Sequence, residues 1–378
     1  MSLDLSRHSP RTDLALEAHE AIVRSVSTPR DADAPEETLD GVRREEHVEG
    51  DGAYRVVRLW IETEEASRKL GKPLGHYVTF EFPGLIAGDG DYRTQAGELF
   101  SAEMAKFLRE SGVEDDATVL VVGLGNRMVT PDALGPIVAQ RVRVTRHLFQ
   151  YAPESLEPGY RSVAALAPGV LGTTGVETGD IVESVVQKIA CDAVVVVDAL
   201  AARSLSRLYK TIQVTDTGIH PGSGIGNKRQ PLNRETLGVP VIALGVPTVV
   251  DASTIAGDAI DLLMKHLGRQ MKESARPNAR SRLVPDTAPL YDRPPKLTDD
   301  DLPPSSAREA LFGMLGTLSP EEKYGLIREV LEPLGVNLIV TPKEVDGFID
   351  DIGQLIAAGL NRALHAKVDR ENVAHYTH

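Results

Sequence analysis

Uninterrupted apolar runs mark the middle of this chain. Thr118-Val119-Leu120-Val121-Val122-Gly123, Ala193-Val194-Val195-Val196-Val197-Asp198 and Val239-Pro240-Val241-Ile242-Ala243-Leu244-Gly245 each read as a strand buried on both faces. Helical spacing falls between and around them. It predicts helices over 95–110 (stopped by Gly112), over 132–149, over 178–189 with Thr178 as the cap, and from Asp251 toward His266. Strands alternating with helices predict an α/β fold, a mostly parallel central sheet with helices on both faces. Ahead of it, residues 54–61 and 76–82 are β-rich and partly alternating, an N-terminal β-rich extension. Residues 14–23 read as a helix and the charged stretch 29–51 as a surface loop.

The C-terminal third is punctuated differently. Seven prolines among charges between 277 and 305 read as a loop excursion within one domain, because compatible structure resumes after it. Ser319-Pro320-Glu321-Glu322 and Thr341-Pro342-Lys343-Glu344 each place a capping hydroxyl, a first-turn proline and a glutamate three residues on. The second precedes an apolar stripe of Val345, Phe348, Ile349, Ile352, Leu355, Ile356 and Leu360. No internal repeat is visible.

Composition narrows the function classes. No segment approaches the roughly 18 uninterrupted apolar residues of a membrane span, and residues 1–8 have no signal-peptide core. The single cysteine, Cys191, precludes an internal disulfide, suits a reducing cytoplasm and reads as packing. With 41 basic against 55 acidic residues the net charge is −14, which repels nucleic acid and favours neutral or basic partners, or reflects ordinary solubility.

In open parallel sheets ligands collect beyond the carboxyl ends of strands. Two such ends carry an aspartate: Asp132, in Gly123-Leu124-Gly125-Asn126-Arg127-Met128-Val129-Thr130-Pro131-Asp132, and Asp198, in Asp198-Ala199-Leu200-Ala201-Ala202-Arg203-Ser204. Each has a plain structural alternative, a first-turn acid for Asp132 and an N-cap for Asp198. Together they offer amide chemistry without a metal. Two close carboxylates resist double ionisation, so one keeps its proton while the other deprotonates water. The protonated partner then polarises the scissile carbonyl or assists the departing amine.

Other motifs fit less well. Gly123-Leu124-Gly125 resembles a dinucleotide loop, but Met128 stands at the third glycine position. Asp216-Thr217-Gly218 spells the pepsin tripeptide once, inside an α/β pattern, and fits better as cleft lining. The glycine-rich stretch from His220 reads as a site for an anion or a peptide backbone or as a flexible surface loop, and no second histidine lies at ligand spacing from His220. Ser223 lacks the nucleophile-elbow spacing.

Six segments in order carry a resemblance that spans nearly the whole chain. They are Val129 to Pro136, Gly172 to Asp180, Asp198 to Ser204, Thr215 to Gly224, Leu237 to Asp251 and Leu334 to Glu344. Together they are similar to the bacterial spore germination protease family, and more distantly to hydrogenase-maturation endopeptidases. The first resemblance implies a homotetrameric endopeptidase of the forespore and spore core that degrades small acid-soluble spore proteins during germination. It implies a self-processing zymogen with residues 1–13 as propeptide, residues 14–378 as the catalytic domain and Asp13-Leu14 as the junction. Asp132 and Asp198 match its essential aspartates, and Gly123, Gly125, Asn126, Glu177, Arg203, Asp216 and His220 are the candidate cleft residues. No cofactor, nucleic acid or membrane is implied. The second resemblance keeps a metal-assisted route open, and a non-proteolytic nucleotide-binding protein is the remaining alternative. Arg127-Met128 departs from the aromatic residue that the first family suggests after Asn126, which bears on substrate preference.

Overall fold

The computed structural model describes residues 12–26, 39–87, 90–220, 230–274, 297–331 and 338–368. The chain divides into two compact units, residues 12–250 with 340–378 and residues 1–11 with 251–339. The larger unit opens with α1 (Ala15–Val26), β1 (Val42–Glu49), β2 (Tyr54–Ile61), α2 (Glu64–Leu70), β3 (Gly75–Glu81) and α3 (Gly90–Glu110). It continues with β4 (Val119–Gly123), α4 (Leu134–Arg141), α5 (Arg146–Tyr151), β5 (Val163–Leu166), α6 (Leu171–Thr174) and α7 (Thr178–Ile189). Then come β6 (Ala193–Ala202), β7 (Thr211–Thr215), α8 (Arg234–Leu237) and β8 (Val241–Asp251). The smaller unit carries α9 (Ala252–Ser274), α10 (Ser305–Phe312) and α11 (Pro320–Leu331), after which the chain returns to the larger unit as α12 (Val345–Leu364).

The sheet runs β1-β2-β3-β7-β8-β6-β4-β5. Its β8-β6-β4-β5 half is parallel, as continuous apolar runs require, and the β-rich N-terminal strands complete the same sheet antiparallel through β7. Every residue of β4 is buried, at about 1.5–3 kcal/mol for each large apolar side chain. Helices cover both faces of this half. Leu120, Val122, Val194 and Val196 pack with Val182 and Val186 of α7. On the opposite face Gly123 meets α4 so closely that an added Cβ would lie 2.0 Å from the Gly135 carbonyl oxygen. α12 closes over α3 and α4, with Gly359 seated on the Phe100 ring and Gly353 on Ile137. In the smaller unit α9 is tied to the turn before α10 by Arg269–Asp301 and to α11 by Lys323–Asp261.

Several local expectations change. The stretch read as a charged loop contains β1, whose eight residues pair with β2. Its charges suit an edge strand, where Arg44–Glu46 and Arg55–Glu46 pair across the exposed surface. The single helix expected over 132–149 is instead a 3₁₀ turn (Thr130–Asp132), α4, a break and α5. The break has a tertiary cause. The Asn361 side chain takes the Arg143 N–H at 2.7 Å, His365 Nε2 donates to the Arg143 carbonyl at 3.1 Å and the Thr145 N–H goes to Val163. Thr178 is the first helical residue of α7 rather than its cap, and its hydroxyl donates to the Gly169 carbonyl. Ser319 and Glu322 do form a reciprocal capping box. Thr341 does not cap α12; its hydroxyl bonds Tyr209 and the Thr248 carbonyl instead. The proline-rich stretch lies largely outside the described residues, which resume at 297.

Candidate active site

Strand β4 is the point where strand order reverses, with β5 on one side and β6 on the other. Chain leaving such neighbouring strands opens a crevice at their carboxyl ends. Gly123, the last residue of β4, pairs with Val197, and the Leu124 N–H donates to the Val197 carbonyl at 2.8 Å. Asp198 is therefore the next residue on β6, beside the loop that leads to Asp132.

That loop is built around Asp132. Its Oδ2 accepts the Asn126 N–H at 2.7 Å, while Asn126 Oδ1 takes the Met128 N–H at 3.0 Å. Gly125 makes the fold-back possible, with φ +112° and a hypothetical Cβ 2.0 Å from the Asp132 carbonyl oxygen. Three residues after Asp132, Gly135 lodges where any side chain would strike Leu124 and the Val197 carbonyl. The backbone carrying one aspartate is thus wedged directly against the residue preceding the other. Both carboxylates are half-buried. Asp132 spends its carboxylate on the loop rather than at the end of α4. Asp198 is a strand residue paired with Gly245 and accepts the Ala199 N–H at 2.8 Å, so no helix follows for it to cap.

The other candidates scatter. Arg203 lies just past β6, with its N–H on Glu17. Glu177 caps α7 by position, and its Oε1 is buried with no hydrogen-bond partner among the described residues. Asp216 belongs elsewhere. β7 runs antiparallel, Thr215 pairs with Ala243, and the chain moves from there toward the amino ends of the parallel strands, where Asp216 accepts the His76 N–H at 2.9 Å. His220 is exposed at the edge of residues 221–229, which lie outside the described set together with Ser223. Among the described residues no group of three His, Cys, Asp or Glu is arranged to hold a metal ion. Cys191 is buried, and burial pushes its thiol up to about 11, as packing rather than nucleophilic chemistry requires.

Sequence reading missed the N-terminal contacts of β6. Asp13 pairs with Ala201 in both directions, N–H to carbonyl at 2.9 Å and carboxylate to N–H at 2.8 Å. Lys72 Nζ binds the Thr12 and Asp13 carbonyls at 3.0 and 2.9 Å, Gln213 accepts the Ala15 N–H, and Leu14 is fully buried. Glu17, only 4% exposed, accepts the N–H groups of Arg203 and Ser204 at 2.6 and 3.0 Å. The available signal was an acid in the first turn of a helix next to the junction, which is too common to single out.

A family model for germination proteases matches residues 15–377. The chain belongs to the germination protease family. Germination proteases of Geobacillus sp. and of Bacillus thuringiensis subsp. konkukian are 48% and 49% identical to it, each alignment covering 100% of this chain and 99% of the relative. One from Bacillus anthracis is 48% identical over the same shares. Among solved structures, a [NiFe] hydrogenase maturation protease, HycI from Thermococcus kodakarensis KOD1, aligns with a TM-score of 0.24 and 20% identity, over 35% of this chain and 74% of that one. Membership makes the chain a peptidase of spore germination. No helix among the described residues is long and apolar enough to cross a membrane.

Proposed function

We propose that this germination protease is an aspartic endopeptidase that begins the degradation of small acid-soluble spore proteins in the spore core. It is made as a homotetrameric zymogen that cuts itself between Asp13 and Leu14. Asp132 and Asp198 are its catalytic pair. What supports this reading is that half-buried Asp198, the first β6 residue past those paired with β4, lies beside the loop that carries half-buried Asp132, at the reversal of strand order.

The chemistry follows from the environment. The ionised carboxylate takes a proton from water, whose oxygen attacks the scissile carbonyl carbon. The protonated partner first hydrogen-bonds the carbonyl oxygen, then gives its proton to the departing nitrogen. The two share one proton and titrate as a unit.

Intact mass before and after mild acidification tests both reactions, comparing wild type with Asp132→Asn and Asp198→Asn. The expected result is loss of residues 1–13 in wild type alone, followed by digestion of a spore-protein substrate. Processing that persists in both variants would remove the pair from the mechanism.

A further inference from the structure

We propose that Glu17 is the acceptor for the α-amino group of Leu14 once the Asp13–Leu14 bond is cut, and that this ion pair fixes the exit of β6 in the mature enzyme. The inference rests on the processing reaction proposed above. Hydrolysis of that bond adds water across the amide. The oxygen goes to the Asp13 carbonyl carbon, which becomes a carboxylate, and the Leu14 nitrogen becomes an ammonium.

That ammonium is created in a hostile place. Leu14 is 0% exposed, and it directly precedes α1. Burial disfavours a cation, and the positive end of a helix dipole disfavours it further. Either Leu14 leaves its apolar site or a carboxylate meets it.

Helix geometry supplies the carboxylate. With Leu14 at the N-cap, Glu17 occupies the third helical position, from which a glutamate reaches back to the N-cap nitrogen. In the uncut chain one hydroxyl stands between them. The Leu14 N–H donates to Thr12 Oγ1 at 3.1 Å, and Thr12 donates to Glu17 Oε2 at 2.5 Å. Cleavage and departure of the peptide remove Thr12, so the intermediary goes and the ammonium takes its place. Lys72, which binds the Thr12 and Asp13 carbonyls, holds the new carboxylate until the peptide dissociates.

The same carboxylate controls the strand that carries Asp198. Its two oxygens accept the Arg203 and Ser204 N–H groups, and Oε1 lies 3.5 Å from Arg207 Nη1. Arg207 in turn is shared with Glu20 and Glu81. Glu17 is therefore a positioning residue. Before the cut it links the propeptide to the end of β6; after the cut it links the new N-terminus to the same place.

The readout is the Leu14 amine itself. In self-processed wild type it titrates above the ordinary α-amino range of about 7.7–8.0, and at pH 7.5 it reacts with an acylating reagent roughly tenfold more slowly than an exposed N-terminus. Glu17→Gln restores ordinary reactivity. A wild-type amine that titrates and reacts normally overturns the proposal without recourse to any variant. A second, full-length chain has residues 8–13 replaced by the site of an added protease that cuts before Leu14. If wild type fails to process itself but the amine released in this chain is shielded, and shielding is lost with Glu17→Gln, the ion pair stands and the self-processing reading falls. If that amine is unshielded, the ion pair falls.

Discussion

Gly125 concentrates the demands of the site in one residue. Its φ of +112° is open to glycine and strained for L side chains, and a methyl group would collide with the Asp132 backbone. Gly125→Ala therefore pushes Asp132 off the Asn126 N–H. The expected outcome is a loss of about 1–3 kcal/mol in stability and at least a tenfold fall in kcat, read by thermal unfolding and by substrate digestion. Gly172→Ala is the control, because no atom of the described residues lies within 4 Å of its hypothetical Cβ, and it leaves activity unchanged. The glycines, Asn126 and both aspartates were legible as motifs after apolar runs, although β6 runs on past Asp198 to Ala202. The role of Glu17 was not, because its partners lie about 190 residues away along the chain.

Elements followed their patterns wherever burial alone decided. β4, β6 and β8 sit on the three apolar runs, and α7 spans the predicted 178–189. Patterns failed where a distant group captured the backbone. Residues 141–146 have helical spacing, yet Asn361, fully buried on α12, takes the Arg143 N–H and donates to the Arg141 carbonyl. Asn361→Ala removes the acceptor from that part-buried N–H. The expected cost is about 1–3 kcal/mol, seen as a lower urea midpoint, with faster amide exchange confined to residues 141–146 and their neighbours. An equal rise in exchange across β4 and β6 would show instead that Asn361 supports the whole sheet. Thr341 failed as a cap for a similar reason, since Tyr209 and Thr248 compete for its hydroxyl.

Within the larger unit, the buried histidines His19, His76 and His365 tie stability to pH, the last two most strongly. His76 stacks on Trp60 and packs at a tilt against Phe107, near Arg58, Arg43, Lys106 and Glu110. His365 accepts the Arg161 N–H on Nδ1 and donates from Nε2 to Arg143. Burial, with neighbouring cations, lowers both to about 4. Unfolded, each titrates near 6.5, so between about 6.5 and 4 the unfolded chain binds more protons. Stability is then full above about pH 6.5 and falls toward pH 4, by on the order of 3 kcal/mol for each histidine. Urea unfolding at pH 7.5, 6 and 5 measures the decline, and a flat profile would show that both rings are charged in the fold. By itself the sequence determined the buried parallel strands, most of the intervening helices and the glycine-rich loop after β4, because apolar runs and glycine-acid loops act through neighbouring residues. Tertiary structure alone decided which strands are adjacent, where Asp216 points, where the 132–149 helix breaks and what Glu17 holds. Those outcomes depend on hydrogen bonds and packing between segments up to 222 residues apart, for which a linear pattern carries no signal.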